Sequence, residues 1–316
     1  MTARNWVWLS QHLIPKNLSS AVVYRATRSK QAWLKRPLTR WFARAYGVDL
    51  SEAANADLDS YATFNEFFTR ELKAGARPIA TGPGTLASPA DGILTEHGAI
   101  DGDRVYQAKG SAYTLAALLG ETGAAVAALE GGRYATIYLA PHNYHRVHAP
   151  LAARLTRTRY VPGARFSVSR ATAAAIPRIF CRNERVVCWF DTDYGTMVVV
   201  LVGALNVSSI STFAHGEIAS GAPREWREPE PRAVAQGAEI GRFNMGSTVV
   251  VLLGTNAFSF AAEACDGLAV RMGQALGAFA RGCLALRTRR LASHAAAARP
   301  EGGPPSLGLP CARPAR

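Results

Sequence analysis

The stretch EIGRFNMGSTVVVLL, residues 239–253, joins a turn to a strand. Its second half, STVVVLL (247–253), is an unbroken run dominated by apolar and β-branched residues, which is typical of a strand buried inside a sheet. Gly-Ser-Thr, at the junction, is a common way for a chain to turn into a strand. The stretch therefore predicts a turn that enters a buried strand at Ser247.

Similar runs recur from about residue 78 onward and are separated by Gly, Pro and Asp. They are RYATIYLA (133–140), ERVVCWF (184–190) and GTMVVVLVGAL (195–205). Short runs of this kind favour antiparallel strands. Residues 112–120 predict a short helix that ends at Gly120, and residues 1–60 have a helical pattern. We therefore expect an α+β fold, with a mainly antiparallel β core and N-terminal amphipathic helices.

Gly246 followed by Ser247 is also a place where a chain can cut itself. Because Gly246 has no Cβ, its backbone bends freely and its carbonyl is open to close approach. The Ser247 hydroxyl could attack that carbonyl and convert the amide to an ester. Elimination would then break the chain and leave dehydroalanine, which hydrolyses to a pyruvoyl group. On spacing alone, an ordinary turn is the alternative interpretation.

Such an attack requires a base, because a free serine hydroxyl is a poor nucleophile at neutral pH. Three of the seven histidines, His142, His145 and His148, lie within one short segment. Two flanking prolines limit this segment to a loop or strand, in which His145 and His148 would face opposite sides. No cysteine or carboxylate lies near them in sequence to complete a zinc site, so we expect no metal.

Seven segments, in this order, resemble the bacterial-type, pyruvoyl-dependent phosphatidylserine decarboxylase proenzymes. They are TFNEFFTRELK (63–73), SPADGIL (88–94), QAKGSAYTLAALLG (107–120), YLAPHNYHRVHAP (138–150), YVPGARFSV (160–168), NERVVCWFDTDYG (183–195) and GRFNMGSTV (241–249). The resemblance extends from about residue 5 to about residue 275. It implies decarboxylation of phosphatidylserine to phosphatidylethanolamine and CO2 after cleavage between Gly246 and Ser247.

The resemblance also implies the residues of self-cleavage. His148 matches the general base, and Asp91 matches the carboxylate that orients it. With Ser247 they follow the logic of a serine-protease triad, used once within the chain. The cofactor would be a covalent pyruvoyl group derived from Ser247, which accepts electrons as CO2 leaves. From the residues alone, Asp91 in Asp91-Gly92 could equally be a turn residue.

Two further roles concern decarboxylation. His145 would lie beside the triad on another face, and we interpret it as the acid that protonates the product carbon. Ser167 belongs to the segment that resembles the substrate side of the family, and we interpret it as a contact of the serine head group. His142 receives no role.

The formal net charge of the chain is +13, and the charge is uneven. Residues 1–48 contain nine Lys and Arg, no acid and four of the six tryptophans. One helical face would consist of Leu38, Trp41, Phe42, Ala45 and Tyr46. An apolar face flanked by cations is typical of a helix that lies in a membrane interface. A helix docked on its own protein is the alternative.

We expect three regions: a basic amphipathic membrane-binding region at 1–60, a β-rich catalytic domain at 61–275, and a disordered low-complexity tail at 276–316. The expected partners are phosphatidylserine, an anionic membrane surface, and the two chains formed by cleavage. The sequence leaves open whether the processed protomer forms a homodimer. The uneven charge argues against nucleic acid. No apolar run is long enough to span a bilayer, so we expect a peripheral protein on the cytoplasmic face of the cell membrane.

Two other functions fit part of the sequence. A Ser-His-Asp lipid hydrolase would use the same three residues, but no serine lies in a Gly-x-Ser-x-Gly elbow. A non-enzymatic basic module that binds membranes or nucleic acid explains the charge. It leaves Asp91, His148 and Ser247 unexplained.

Overall fold

A computed structural model of the protein describes residues 16–107, 111–205 and 209–280. Within these ranges the helices are α1 (Lys16–Thr27), α2 (Ala32–Ala45), α3 (Phe64–Phe68), α4 (Leu115–Leu119), α5 (Ala124–Ala127), α6 (Arg170–Ala175) and α7 (Ile179–Arg182). The strands are β1 (Thr85–Ala87), β2 (Gly92–Ala99), β3 (Arg104–Gln107), β4 (Ser111–Thr114), β5 (Arg133–Leu139), β6 (Arg146–His148), β7 (Ala153–Val161), β8 (Arg185–Thr192), β9 (Gly195–Gly203), β10 (Ile210–Thr212), β11 (Gly216–Ile218), β12 (Arg224–Val234), β13 (Glu239–Phe243), β14 (Ser247–Leu253), β15 (Phe258–Phe260), β16 (Leu268–Val270) and β17 (Ala275–Phe279).

Eight antiparallel strands form the largest sheet, in the order β12-β7-β8-β9-β14-β5-β2-β16. β14 lies inside it, paired with β5 on one side and β9 on the other. All seven residues of β14 are buried, which explains why its sequence is apolar without alternation. The predicted α+β class is confirmed. The four predicted strands are also confirmed, and they correspond to β5, β8, β9 and β14.

One edge of this sheet collects the ends of several strands. Ser247, the first residue of β14, pairs with Leu139 and Gly203, the last residues of β5 and β9. β2 begins at the same edge, where Ile93 pairs with Tyr138 of β5. Only β5 separates the start of β2 from the start of β14, so the two backbones lie two strand spacings apart, about 10 Å.

The segments that enter and leave these strands therefore meet at one edge. Asp91 directly precedes β2, and the histidine segment follows β5. At the same edge β7 ends at Val161, which pairs with Arg185 at the start of β8. The segment 162–168 that contains Ser167 thus also leaves the sheet here.

A second sheet, in the order β11-β10-β13-β6, carries His148 and leads into the cleavage site. His148 is the last residue of β6 and pairs with Glu239 of β13. β13 ends at Phe243, and β14 begins at Ser247 after a turn of three residues. The turn 244–246 is thus the connection between the two sheets.

An aromatic cluster attaches the N-terminal helices to this core. Thr63 caps α3 by accepting a hydrogen bond from the Glu66 backbone, and the Glu66 carboxylate accepts one from the Ala62 backbone, as in a capping box. The ring of Phe42 on α2 lies 5.1 Å from Phe64 and 5.8 Å from Phe68. Edge-on contacts of this kind add to the hydrophobic stabilisation. α2 is therefore partly docked on the protein.

This docking corrects the predicted apolar face of α2. Phe42 is buried and Leu38 packs against the aromatic cluster, so these two side chains face the protein. Trp41 is 60% exposed, and Trp33, which the predicted face did not include, is 74% exposed. The outward face of α2 is therefore formed by tryptophan and cationic side chains.

Other boundaries differ in smaller ways. The helix predicted to end at Gly120 is confirmed, and it begins at Leu115; Gly120 has a positive φ of 69°, which favours glycine at a helix end. Residues 46–60 contain no helix. β17 pairs with β1 and β15 through Phe279, beyond the predicted domain end at 275. Residues 1–15 and 281–316 lie outside the described residues, and with them most of the predicted tail.

Candidate active site

The turn before β14 has an unusual backbone. Met245 has φ 146° and Gly246 has φ 21°. Within the described residues Met245 and Arg178 are the two non-glycine residues with positive φ. Such a conformation costs on the order of 1–3 kcal/mol and persists only where the surroundings enforce it. Strain is therefore stored directly beside the Gly246–Ser247 bond.

Gly246 is required by its conformation. A Cβ at this position would meet nothing within 4 Å, whereas the positive φ disfavours other residues. This agrees with the part of the sequence argument that explained the glycine by its freedom to bend.

The Ser247 side chain is almost completely buried, and its hydroxyl has no hydrogen-bond partner. The hydroxyl of Thr248 is in the same condition. Buried hydroxyls without partners are rare because the lost hydrogen bonds with water are not replaced. At Ser247 the unused lone pairs lie next to the strained backbone of Met245 and Gly246.

Asn244 anchors the turn. Its side-chain nitrogen donates to the hydroxyls of Ser209 at 2.6 Å and Ser211 at 3.2 Å. Its side-chain oxygen accepts from Asn65 of α3 at 3.1 Å, and its backbone N–H donates to the Ser209 carbonyl. These contacts fix the residue directly before Met245, so the strained turn cannot relax freely.

His148 is held at both ring nitrogens. Nδ1 lies 2.8 Å from the Gly237 carbonyl, so Nδ1 carries the proton and Nε2 is the basic nitrogen. Nε2 lies 2.9 Å from the Tyr144 hydroxyl, which donates to it. Burial lowers the pKa of His148, against the opposing effect of the hydrogen bond to Gly237. At neutral pH His148 is thus a neutral imidazole with a basic Nε2.

Asp91 forms no hydrogen bond with His148 in the structure. Its two carboxylate oxygens accept from Arg77 at 2.9 and 2.6 Å, and one also accepts from the Met272 backbone at 2.8 Å. That Asp91 orients His148 stays a prediction, and the contact through which it would do so is indirect. The two residues are linked through the backbone, because the His148 N–H donates to the carbonyl of Pro89 at 2.8 Å.

His145 belongs to the segment that follows β5, and its side chain is completely buried against α3. Its ring stacks on Phe68 at 4.1 Å, and Nε2 lies 3.4 Å from the Pro141 carbonyl. Nδ1 has no partner. Burial, together with the charge of Arg70, lowers the pKa of His145 to about 3. Before the chain is cleaved this imidazole is neutral. To act as an acid, His145 would have to gain a proton after cleavage.

Ser167 lies beside the end of β9. Asn183 holds the neighbouring Phe166 by two backbone hydrogen bonds and also donates to the carbonyl of Gly203 at 2.8 Å. Gly203 pairs directly with Ser247. The structure thus places the segment of Ser167 two strands from the cleavage site, and Ser167 itself accepts from the Ser169 backbone at 3.3 Å.

Within the described ranges no group of three or more His, Cys, Asp or Glu could hold a metal ion. The three histidines of the segment have separate surroundings. Likewise, no helix in these ranges is both long and apolar enough to cross a bilayer.

The sequence profile of phosphatidylserine decarboxylase matches residues 64–278, which include every candidate residue above. The chain belongs to the phosphatidylserine decarboxylase family. A second profile, described as PSD, matches residues 7–47, the region of α1 and α2. Both matches agree with the extent of the resemblance found in the sequence.

Individual relatives of this family member are similar over nearly their whole length. The chain is 46% identical over 276 residues to the phosphatidylserine decarboxylase proenzyme of Ectopseudomonas mendocina (strain ymp), covering 85% of this chain and 96% of that protein. It is 46% identical over 273 residues to the proenzyme of Azoarcus sp. (strain BH72), covering 85% and 94%. It is 48% identical over 273 residues to that of Pseudomonas paraeruginosa (strain DSM 24068 / PA7), covering 84% and 94%.

In this phosphatidylserine decarboxylase-family chain, sequence reasoning missed the partners that hold the candidate residues. Tyr144 lies within the quoted histidine segment, so its hydroxyl could have been considered. Arg77 and Gly237 are brought in by the fold from distant positions. Asn244 stands two residues before Gly246, but nothing in the sequence indicates that it fixes the turn.

Proposed function

We propose that this chain decarboxylates phosphatidylserine to phosphatidylethanolamine and CO2, using a pyruvoyl group that it makes from Ser247. The observation that carries the proposal is the buried, unpartnered Ser247 hydroxyl beside the strained Met245-Gly246 backbone. Membership in the decarboxylase family gives the reaction. The geometry supports the route by which the cofactor would be made.

In the first step His148 Nε2 takes the proton of the Ser247 hydroxyl as its oxygen attacks the Gly246 carbonyl carbon. The C–N bond breaks, an ester forms, and the proton passes to the leaving amine. Elimination then removes the α-proton of residue 247 to a base and breaks its Cβ–O bond, which leaves Gly246 with a carboxylate and residue 247 as dehydroalanine. Hydrolysis releases ammonia and leaves the pyruvoyl group. General-base assistance of this kind contributes roughly 10²–10⁴-fold in rate.

The proposed role of Asp91 is to position His148 through the backbone. The ion pair with Arg77 and the bond from Met272 fix the turn that precedes β2. The same turn presents the Pro89 carbonyl to the N–H of His148. Loss of the Asp91 charge would release Arg77 and loosen this turn. Asp91 is therefore a positioning residue in this account.

The Ser247-derived group supplies an electron sink for the bond that loses CO2. In the proposed second stage His145 Nδ1, which has no partner in the continuous chain, holds the proton that is delivered to the product carbon. Burial disfavours the charged imidazole, and an anion bound beside it would counteract this effect. Ser167 is proposed to contact the serine head group from the β9 side.

We also propose that α2 binds an anionic membrane surface. Trp33 and Trp41 are exposed on the side of α2 away from the aromatic cluster. Arg40 and Arg44 line the same outward surface with Trp41, and Arg40 also pairs with Asp59 at 2.5 Å. Cations near an anionic leaflet contribute about 1 kcal/mol each. This supports a peripheral location on the cytoplasmic face; the homodimer stays a prediction, tested by light scattering of the processed protein.

The test of the reaction is to purify the protein and to follow both chain cleavage and CO2 release from phosphatidylserine. We expect two chains, residues 1–246 and 247–316, with the smaller one blocked at its N-terminus. His148→Ala and Asp91→Asn should remain largely uncleaved and inactive. His145→Ala should cleave but decarboxylate poorly. An uncleaved wild-type protein that still releases CO2 would contradict the proposal.

The membrane test compares co-sedimentation with phosphatidylserine-containing and neutral vesicles. Trp33→Ala/Trp41→Ala should weaken binding to anionic vesicles, and rising salt should weaken binding of the wild type, since salt screens exposed charges. Phe213→Ala, which removes an exposed aromatic outside α2, is the matched control. Equal binding by the double variant and the wild type would contradict the role of α2.

A further inference from the structure

Arg70, two residues after α3, is a buried cation with few partners. It is 5% exposed, and its Nη2 donates one hydrogen bond, to the His142 carbonyl at 3.1 Å. Its Nε is buried without a partner, and within the described ranges no carboxylate lies within ion-pair distance of it. Asp91 and Asp49 attract it from farther away, and its guanidinium carbon lies 5.7 Å from the centre of the Phe67 ring. Burial lowers the pKa of Arg70 because the charged form loses its hydration. Such a charge is costly unless something compensates for it.

Arg185 shows how the fold satisfies a buried guanidinium when no carboxylate is available. It is 2% exposed, and it donates to four backbone carbonyls. These belong to Ala117, Leu118, Cys181 and Asn183. Arg70 has one such carbonyl. The difference indicates that the surroundings of Arg70 are not built to satisfy it alone.

Three other guanidiniums near the histidine segment are already neutralised, and one of them, Arg242, pairs with Glu239 at 2.7 Å. Arg77 pairs with Asp91 at 2.6 Å and with Glu52 at 2.8 Å. Arg146 bridges Glu71 and Glu239 at 2.9 and 3.0 Å. Arg70 is therefore the guanidinium of this region, within the described residues, that remains available to an anion.

The position of Arg70 links it to the proposed chemistry. Phe68, two residues earlier, stacks on His145, and Arg70 itself binds the carbonyl of His142, three residues before His145. The Arg70 charge also helps to keep His145 neutral. The cation thus lies close to the proposed proton donor, where a bound anion would compensate both groups.

We propose that Arg70 binds an anionic group of the phospholipid head group, the phosphodiester or the serine carboxylate; this rests on the proposed function. A guanidinium suits either group, because its planar fork can donate two parallel hydrogen bonds to paired oxygens. Nε, which is unused, would be one of the donors. Binding of the anion would satisfy the buried donor and favour the protonated form of His145.

The experiment measures KM and kcat of Arg70→Gln and Arg70→Lys with phosphatidylserine in mixed micelles, after confirming cleavage of each variant. Arg70→Gln should split between Gly246 and Ser247 like the wild type, because no lipid takes part in that step. Its KM should rise roughly ten- to hundredfold, as expected for loss of a charged hydrogen bond. Arg70→Lys should recover part of the loss. Arg157→Gln removes an ion-paired arginine far from this site and is the control.

Competitive inhibition then separates the two anions. Glycerophosphoethanolamine carries the phosphodiester alone, L-serine carries the carboxylate alone, and glycerophosphoserine carries both. If Arg70 binds phosphate, Arg70→Gln should weaken inhibition by the two phosphodiesters and leave L-serine unchanged. If it binds the carboxylate, inhibition by L-serine and glycerophosphoserine should weaken instead.

The outcomes distinguish this inference from the proposed function. A wild-type chain that neither splits nor releases CO2 would overturn both. Normal wild-type turnover with unchanged KM and inhibition constants in Arg70→Gln would overturn the Arg70 assignment alone. Failure of both Arg70 variants to cleave, with a loss of thermal stability that Arg157→Gln does not show, would make Arg70 a structural residue and also overturn it.

Discussion

Strand β14 has a regular backbone, whereas the three residues directly before it form a strained turn. β14 is paired on both sides along all seven residues. The turn 244–246 contains two successive positive φ values and is held through the side chain of Asn244. The regular strand fixes the Ser247 hydroxyl, and the strained turn presents the Gly246 carbonyl. We infer that the reactive bond lies at the boundary because each side supplies one half of the geometry.

The largest expected effect comes from the strand side of this boundary. Ser247→Ala should abolish chain cleavage, because it removes the attacking oxygen. Thr248→Ala is the matched control, since Thr248 also has a buried hydroxyl without a partner. Denaturing gels of freshly purified protein should show Thr248→Ala split and Ser247→Ala intact. Cleavage of Ser247→Ala would break the comparison, because the strand would then not supply the nucleophile.

The next effect concerns the base. His148→Ala should slow cleavage by roughly 10²–10⁴-fold. In the proposed mechanism the neutral form of His148 is the active one. Its pKa lies below the usual 6.5, so the cleavage rate should fall only at pH values below 6.5. A time course of cleavage after refolding at different pH values measures this. A loss of rate centred above pH 6.5 would argue against His148 as the base.

The turn side predicts a smaller effect. Asn244→Ala should slow cleavage about tenfold, because the strained turn could then relax. Tenfold is the equivalent of one to two net hydrogen bonds of about 1 kcal/mol each. Ser211→Ala removes one of these contacts and should have a weaker effect in the same direction. Rates are compared by mass spectrometry of timed samples. Wild-type rates in both variants would show that the turn needs no anchoring.

The smallest expected effect comes from Tyr144. Its hydroxyl occupies the basic Nε2 of His148, which accepts the Ser247 proton in the proposed mechanism. Tyr144→Phe should therefore speed cleavage by about fivefold, the equivalent of one net hydrogen bond. The same timed assay measures it. Slower cleavage in Tyr144→Phe would indicate instead that the tyrosine passes the proton from Ser247 to His148.

The sequence predicted the strand side of the boundary well and the turn side poorly. The apolar run 247–253 has one plausible structure, a buried strand, and β14 confirms it. The strain at Met245 could not be predicted, because it results from two sheets that the turn must join. Local sequence determines strands of this kind, but the backbone of a connection depends on what it connects.

The candidate site shows the same division. The residues that the family resemblance indicated gather at one sheet edge, but their contacts differ from a simple triad. Asp91 pairs with Arg77, which comes from outside the quoted segments. The division of α2 into a docked Phe42 and an exposed Trp41 likewise depends on α3, since helical spacing alone puts both on one face. Long-range packing decides such contacts, and the sequence carries no local signal for them.

The most direct test of the central claim is the intact mass of the denatured wild-type protein. We predict two chains, residues 1–246 with an ordinary carboxyl end and residues 247–316 with a pyruvoyl end. The second chain should be lighter by one ammonia than the same chain beginning with serine. A chain that begins with unmodified Ser247 would show simple hydrolysis. A single full-length species in preparations that release CO2 from phosphatidylserine would contradict self-cleavage altogether.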